Sequence, residues 1–220
     1  MRFVLSIVAV LLLAGCARGA DDTTTTVVGD LEPTQVVADW LQALEGPDVA
    51  TLEPLVEPAG LAVVAAVENS LRSDDLVGLL TTGLGDDLAT GYWTSFRDDF
   101  AAIRGEPLSA VVIGNLEPVP GIADHVAVAI STSTSEGRIV LRRGESGWQI
   151  DFAATVGPAL IGPLGDYLDS ALHGEHASEV AAAYADAVLP GLEAASALDQ
   201  GNKNLVFEIE YIRQLTADVS

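Results

Sequence analysis

The chain has 220 residues, with 32 acidic and 10 basic side chains and a formal net charge of −22; Lys203 is its only lysine. That balance argues against nucleic acid as a partner, because phosphate binding needs concentrated positive charge. It argues equally against adhesion to anionic lipid head groups through the protein surface.

In chain order, Arg2 precedes an apolar run from Phe3 to Leu13 broken only by Ser6, the layout of a secretory signal. The run is too short to span a bilayer as a helix. It ends in Leu13-Ala14-Gly15-Cys16, which resembles the lipobox of bacterial lipoproteins. The resemblance implies cleavage before Cys16 and a diacylglycerol on its sulfur, with residues 1–15 as the signal peptide. Cys16 is the only cysteine, so no intramolecular disulfide competes for it. Two or three acyl chains anchor durably where one does not. The mature protein is therefore expected at the outer face of the plasma membrane, bound through lipid. The Ala-rich, Arg-over-Lys composition suggests an actinobacterial source.

Residues 16–30 hold Asp21-Asp22 and four consecutive threonines and show no periodicity, so they read as a disordered tether reaching about 20 Å as a coil. Folding is expected to begin near Pro33, with Thr34 capping a helix whose apolar positions are Val36, Val37, Trp40, Leu41 and Leu44. Gly46-Pro47 stops it, and Asp48 caps a short successor. Further helices are expected over Leu61 to Leu71, over Asp74 to Leu80 capped by Ser73, and through Trp93, Phe96, Phe100 and Ile103. That aromatic stripe is read as core.

The period then changes to two. Leu108 to Leu116 is rich in β-branched residues, and Val126, Val128 and Ile130 alternate with small ones. Ile139 and Leu141 alternate with Arg138, Val140 and Arg142. After a turn at Gly144 to Gly147, Trp148, Ile150 and Phe152 alternate with Gln149 and Asp151. This predicts an antiparallel meander of at least four strands with a hairpin about Ser146. Trp148, Ile150 and Phe152 are expected in the core, with Gln149 and Asp151 facing outward. From Val156 the helical period returns in three segments: Leu160 to Leu172, Ser178 to Leu198 with a kink at Pro190-Gly191, and Asn204 to Leu215.

The expected fold class is therefore α+β: N-terminal helices and a curved antiparallel sheet over residues 31–153, followed by helices packed on it over residues 154–220. Helices leading into a sheet that ends in Gly147-Trp148-Gln149-Ile150-Asp151-Phe152, with a Gly46-Pro47-Asp48 turn after the opening helix, resemble the nuclear-transport-factor and ketosteroid-isomerase-like superfamily. That resemblance implies a cone-like fold over residues 31–153, with the helix after Phe152 lying across its mouth. It also implies functions ranging from isomerases and dehydratases to non-catalytic pocket proteins. No catalytic residue of those enzymes maps onto this chain.

Chemistry is sparse. His173-Gly174-Glu175-His176 lacks the spacing of a zinc-hydrolase helix and reads as an interhelix loop. His125 beside Asp124 is a conceivable acid–base pair, read as a turn. Asp74-Asp75, Asp86-Asp87 and Asp98-Asp99 lack the layout of calcium loops and read as helix starts and a solvated face. Ser70 and Ser73 have no visible base. Arg142-Arg143 reads as a charged strand edge. No catalytic residue, cofactor or metal site is expected. The resulting expectation is a non-enzymatic, lipid-anchored envelope protein that binds an apolar ligand or a partner protein. A carboxylate-using isomerase or dehydratase and a helical scaffold are the alternatives.

Overall fold

The computed structural model describes residues 31–104 and 106–219. Cys16, the lipobox residues Leu13, Ala14 and Gly15, and the tether lie outside them. Helix α1 (Pro33–Glu45) starts at a proline, whose missing N–H costs nothing in a first turn. Thr34 therefore lies inside the helix, and Glu32 occupies the capping position instead. Short α2 (Val49–Leu52) follows Asp48, whose carboxylate accepts from the Thr51 hydroxyl, 2.7 Å away. Helix α3 (Pro58–Glu68) is buried from Gly60 to Ala66 and is capped by Glu57, whose carboxylate accepts from Ala59 and Gly60. In α4 (Ser73–Thr82) Ser73 is the first helical residue, and Asp75 reaches back to accept from the Arg72 N–H at 3.2 Å. Helix α5 (Asp86–Arg104) completes the N-terminal set.

The sheet is an antiparallel meander in the order β1 (Val112–Pro118), β2 (His125–Ser131), β3 (Glu136–Gly144), β4 (Gly147–Ile150). A register shift interrupts the β1–β2 pairing between Ile113 and Leu116. The hairpin expected about Ser146 is present, with Gly144 paired to Gly147 and Gly147 at φ 113, where a side chain would be strained. Val128, Ile130, Ile139, Leu141 and Ile150 share one face and are buried against α1 and the aromatic side chains of α5. There Trp93, Tyr92 and Phe96 surround Phe152, with ring centroids 5.6, 6.3 and 5.5 Å from it.

Phe152 is not on the last strand. It opens helix α6 (Phe152–Val156), because Asp151 turns the chain out of the sheet and caps the helix through the Ala154 N–H at 2.8 Å. Trp148 keeps the face of Ile150 but lies opposite Arg143, past the rim of the core, so it is half-buried with the Arg143 guanidinium 5.4 Å from its ring.

Helices α7 (Ile161–Ala171), α8 (Ala177–Ala183), α9 (Leu189–Leu198) and α10 (Lys203–Ala217) close the fold. The kink expected at Pro190-Gly191 is instead a π-helical turn over Tyr184–Val188 joining α8 to α9. The C-terminal segment is helical, since Leu205, Ile209 and Ile212 are buried at helical spacing. One continuous core runs from Val36 to Ile212, so the late helices share the interior of the early ones. They do not close a mouth of the sheet. Helices α7 and α8 and the π turn pack on α3, whereas α6 and α9 cover the second face of β3 near Val140, where Val119, Ala154 and Ala194 form a small separate cluster.

Candidate functional site

Two-residue periodicity places His125, Val140, Arg142, Gln149 and Asp151 on the second face of the meander, opposite the main core. Register then gathers the polar ones at one end: His125 pairs with Arg142, and Arg142 with Gln149. On a bare sheet these side chains would be wet. Here α6 and α9 cross over Asp151, and a Cβ added to Gly191 of α9 would lie 2.5 Å from its Oδ1. Asp151 is therefore 1 % exposed, which corrects its expected outward placement, and His125 is 2 % exposed.

The two form the centre of a three-residue chain. His125 Nδ1 lies 2.9 Å from Asp124 Oδ1, and its Nε2 lies 3.0 Å from Asp151 Oδ2. The other oxygen of Asp151 accepts from Ala154, and its N–H donates to the Val140 carbonyl. Burial by itself would push the His125 ring down, but its hydrogen bonds to Asp151 and Asp124 and the charges behind them outweigh burial and hold it above the ordinary histidine value. The bond from His125 holds Asp124 below the usual carboxylate range. Glu57 also borders the site; burial raises its carboxyl, against the lowering effect of the Gly60 and Ala59 N–H groups.

Beside this chain an open cleft of about 240 Å³ is lined by Glu57, Asp124, Arg142, Arg143, Gly144 and Gln149. Its polar groups are largely engaged within the protein. Gln149 donates to the carbonyls of Pro54 and Val56, and Arg142 donates to that of Asp186 while its Nε stays 4.0 Å from Asp124. As chemistry, the cluster is a poor catalyst. A general base needs a free ring nitrogen aimed at the proton it takes, and both nitrogens of His125 face carboxylates.

Sequence reasoning paired His125 with Asp124 and missed Asp151 and Glu57. The signal for Asp151 was present, since it continues the face of His125, Arg142 and Gln149. The other candidates stay apart. His173 Nδ1 faces its own helix at the Asp169 carbonyl, 2.8 Å away, and His176 faces Glu179. Among the described residues no group of three or more His, Cys, Asp or Glu side chains is placed to hold a metal ion. Asp74 and Asp75 stand in the first turn of α4, and Asp98 pairs with Arg97 on an exposed face. Tyr92, at the rim of the aromatic cluster, donates its hydroxyl to Glu68 at 2.8 Å. No helix of the described residues is long and apolar enough to cross a membrane. No protein-family model matches the chain, and no curated protein or solved structure matches it.

Proposed function

We propose that this protein is a non-enzymatic component of the cell envelope, anchored at the outer face of the plasma membrane through lipid on Cys16, that works by holding a partner protein. The anchor rests on Leu13-Ala14-Gly15-Cys16 and the absence of any other cysteine. The preference for a partner over an apolar ligand rests on where apolar surface is found. The space between sheet and helices is filled by Trp40, Trp93, Phe152 and their neighbours, and two surface clefts of about 240 and 290 Å³ are open and lined largely by charged and polar residues.

The observation that carries the reading is the outer side of α10, where Phe207 is 69 % exposed, Val206 52 % and Tyr211 37 %. Burying such a side chain contributes about 1.5 to 3 kcal/mol, so a partner gains much by covering it. Tyr211 titrates above the ordinary phenol value through desolvation and then through the negative charges of Asp169, Asp166 and Glu208 about it. The surface that fits is an apolar groove rimmed by lysine and arginine, which a net charge of −22 also steers towards this chain.

A photo-cross-linking residue placed at Phe207 in the envelope is expected to give one discrete heteromeric adduct that Glu208→Lys abolishes. The same residue at exposed Gln35 of α1 is expected to give none. Adducts only to lipid, only to a second copy, or equally at both positions would sink the partner reading. Unchanged mass and membrane fractionation of Cys16→Ser would sink the anchor.

A further inference from the structure

A neutral imidazole has one N–H to give, and His125 presents a ring nitrogen to each of two carboxylates, at 2.9 and 3.0 Å. With both aspartates ionised, only the doubly protonated ring donates to both. We propose that His125 is a proton-operated latch: as an imidazolium it holds the Asp124 side chain over the cleft, and on losing the proton from Nδ1 it releases that side chain to water.

Geometry selects which arm lets go. The Asp151 side chain is 2 % exposed and that of Asp124 is 55 % exposed. An unpaired carboxylate costs far more in the interior than in water, so the remaining proton stays on Nε2, facing Asp151. The Asp124 backbone stays in place, because its carbonyl accepts from the Arg143 N–H at 2.8 Å. The motion is thus a swing of one side chain. It leaves Arg142 with the Asp186 carbonyl as its partner and opens the cleft between Glu57 and Arg142.

The charged groups facing the latch come from every element around it. They are Asp124 ahead of β2, Arg142 of β3, Asp151 at the start of α6, and Glu57 ahead of α3; the Arg143 guanidinium stands on the other face of β3 over Trp148, and the π turn contributes only the backbone oxygen of Asp186. The carboxylates favour the imidazolium and the guanidinium of Arg142 opposes it. The folded ring binds its proton more tightly than the unfolded chain does. The stabilisation is therefore complete below the unfolded histidine value of about 6.5 and is lost as pH rises through the higher folded value. Asp124, held low, gives the opposite edge: its share is lost as pH falls through its own lowered value.

The test is a nitrogen-15 titration of the three histidine rings in the full chain, paired with denaturant midpoints from about pH 5 to about pH 10. His125 is expected to carry protons on both nitrogens below its raised folded value, and to lose the Nδ1 proton only above the ordinary histidine value of about 6.5. Asp124→Asn is expected to weaken its proton binding by about tenfold. His125→Gln is expected to remove the loss of midpoint on the alkaline side. If that variant does not fold, Asp124→Asn, at an exposed position, gives the readout in reduced form: the alkaline loss of midpoint shrinks and moves to lower pH while Asp151 still holds the ring. A His125 that loses its Nδ1 proton at or below the ordinary histidine value, or that ignores Asp124→Asn, overturns the latch.

Discussion

Arg142 donates from Nη1 to the backbone carbonyl of Asp186, 2.9 Å away, and Pro190 stands four residues beyond that carbonyl. In a regular helix the residue at that place would donate its own N–H, and proline has none. The chain widens into a π turn, with Leu189 donating to Tyr184, and the guanidinium supplies a donor from β3. Sheet and C-terminal helices are fixed to each other at the point where the helix is irregular.

Removing that donor gives the first prediction. Arg142→Ala is expected to cost about 1 to 2 kcal/mol, the worth of a hydrogen bond from a charged group after allowance for partial exposure. Amide exchange should quicken over Tyr184–Val188. Arg143→Ala loses its position over Trp148, worth under about 1 kcal/mol. Denaturant midpoints that fall equally for the two would mean that the Asp186 contact adds nothing.

Trp148 and Phe152 are both aromatic and four residues apart, yet their costs should differ. Phe152 is 0 % exposed and touches three rings, so Phe152→Ala should cost about 3 to 5 kcal/mol. Trp148 is half-buried at the rim, so Trp148→Ala should cost about 1 to 2 kcal/mol. A reversed order in urea unfolding would show that Trp148, and not Phe152, belongs to the core.

The contrast also shows what the sequence can and cannot carry. Periodicity was enough for α1, the aromatic face of α5, the meander and its hairpin, because each pattern is local. It was enough for α10 too, where Ile209 and Ile212 keep steps of three. Capping was misjudged at Thr34 and Ser73, since Pro33 and the Asp75 carboxylate satisfy those helix starts in other ways. The candidate site was half legible. His125 and Asp124 are neighbours in sequence, but the burial of Asp151 depends on α9 crossing it, and Gly191 permits that approach from a distant part of the chain.

One glycine tests that crossing, and a second, on an exposed helix face, is the control. A Cβ at Gly191 would lie 2.5 Å from Asp151 Oδ1 and 2.8 Å from the Ala154 nitrogen, so either the capped carboxylate or the helix must move. Gly191→Ala is expected to cost about 1 to 3 kcal/mol. Gly78, exposed within α4, has nothing within 4 Å of such a Cβ. Gly78→Ala should stabilise by about 0.5 to 1 kcal/mol through helix propensity. A neutral Gly191→Ala would mean that α9 stands further from Asp151 than described.

The last prediction concerns residues 31–153 expressed alone. Phe152, Leu164, Leu168, Tyr184, Val188, Leu192 and Ile212 all belong to the cluster that also holds Val36, Trp40 and Trp93. Helix α3, buried from Gly60 to Ala66, is covered by the π turn and by α7 and α8 as well as by its N-terminal neighbours. Cutting after residue 153 strips one side of α3 and bares the second face of β3. The Tyr184 hydroxyl also donates to the Leu164 carbonyl at 2.9 Å inside that interface, a sign that the late helices are ordered against each other as well as against α3. At about 25 cal/mol per Å² of apolar area, exposing a few hundred Å² removes most of a typical folding free energy. The truncated chain is expected to bind a hydrophobic dye, to aggregate, and to lack a cooperative melt, while the chain from residue 31 to 220 melts in one transition. A fragment that stays monomeric, melts cooperatively and ignores the dye would show that the first helices and the sheet fold without the rest.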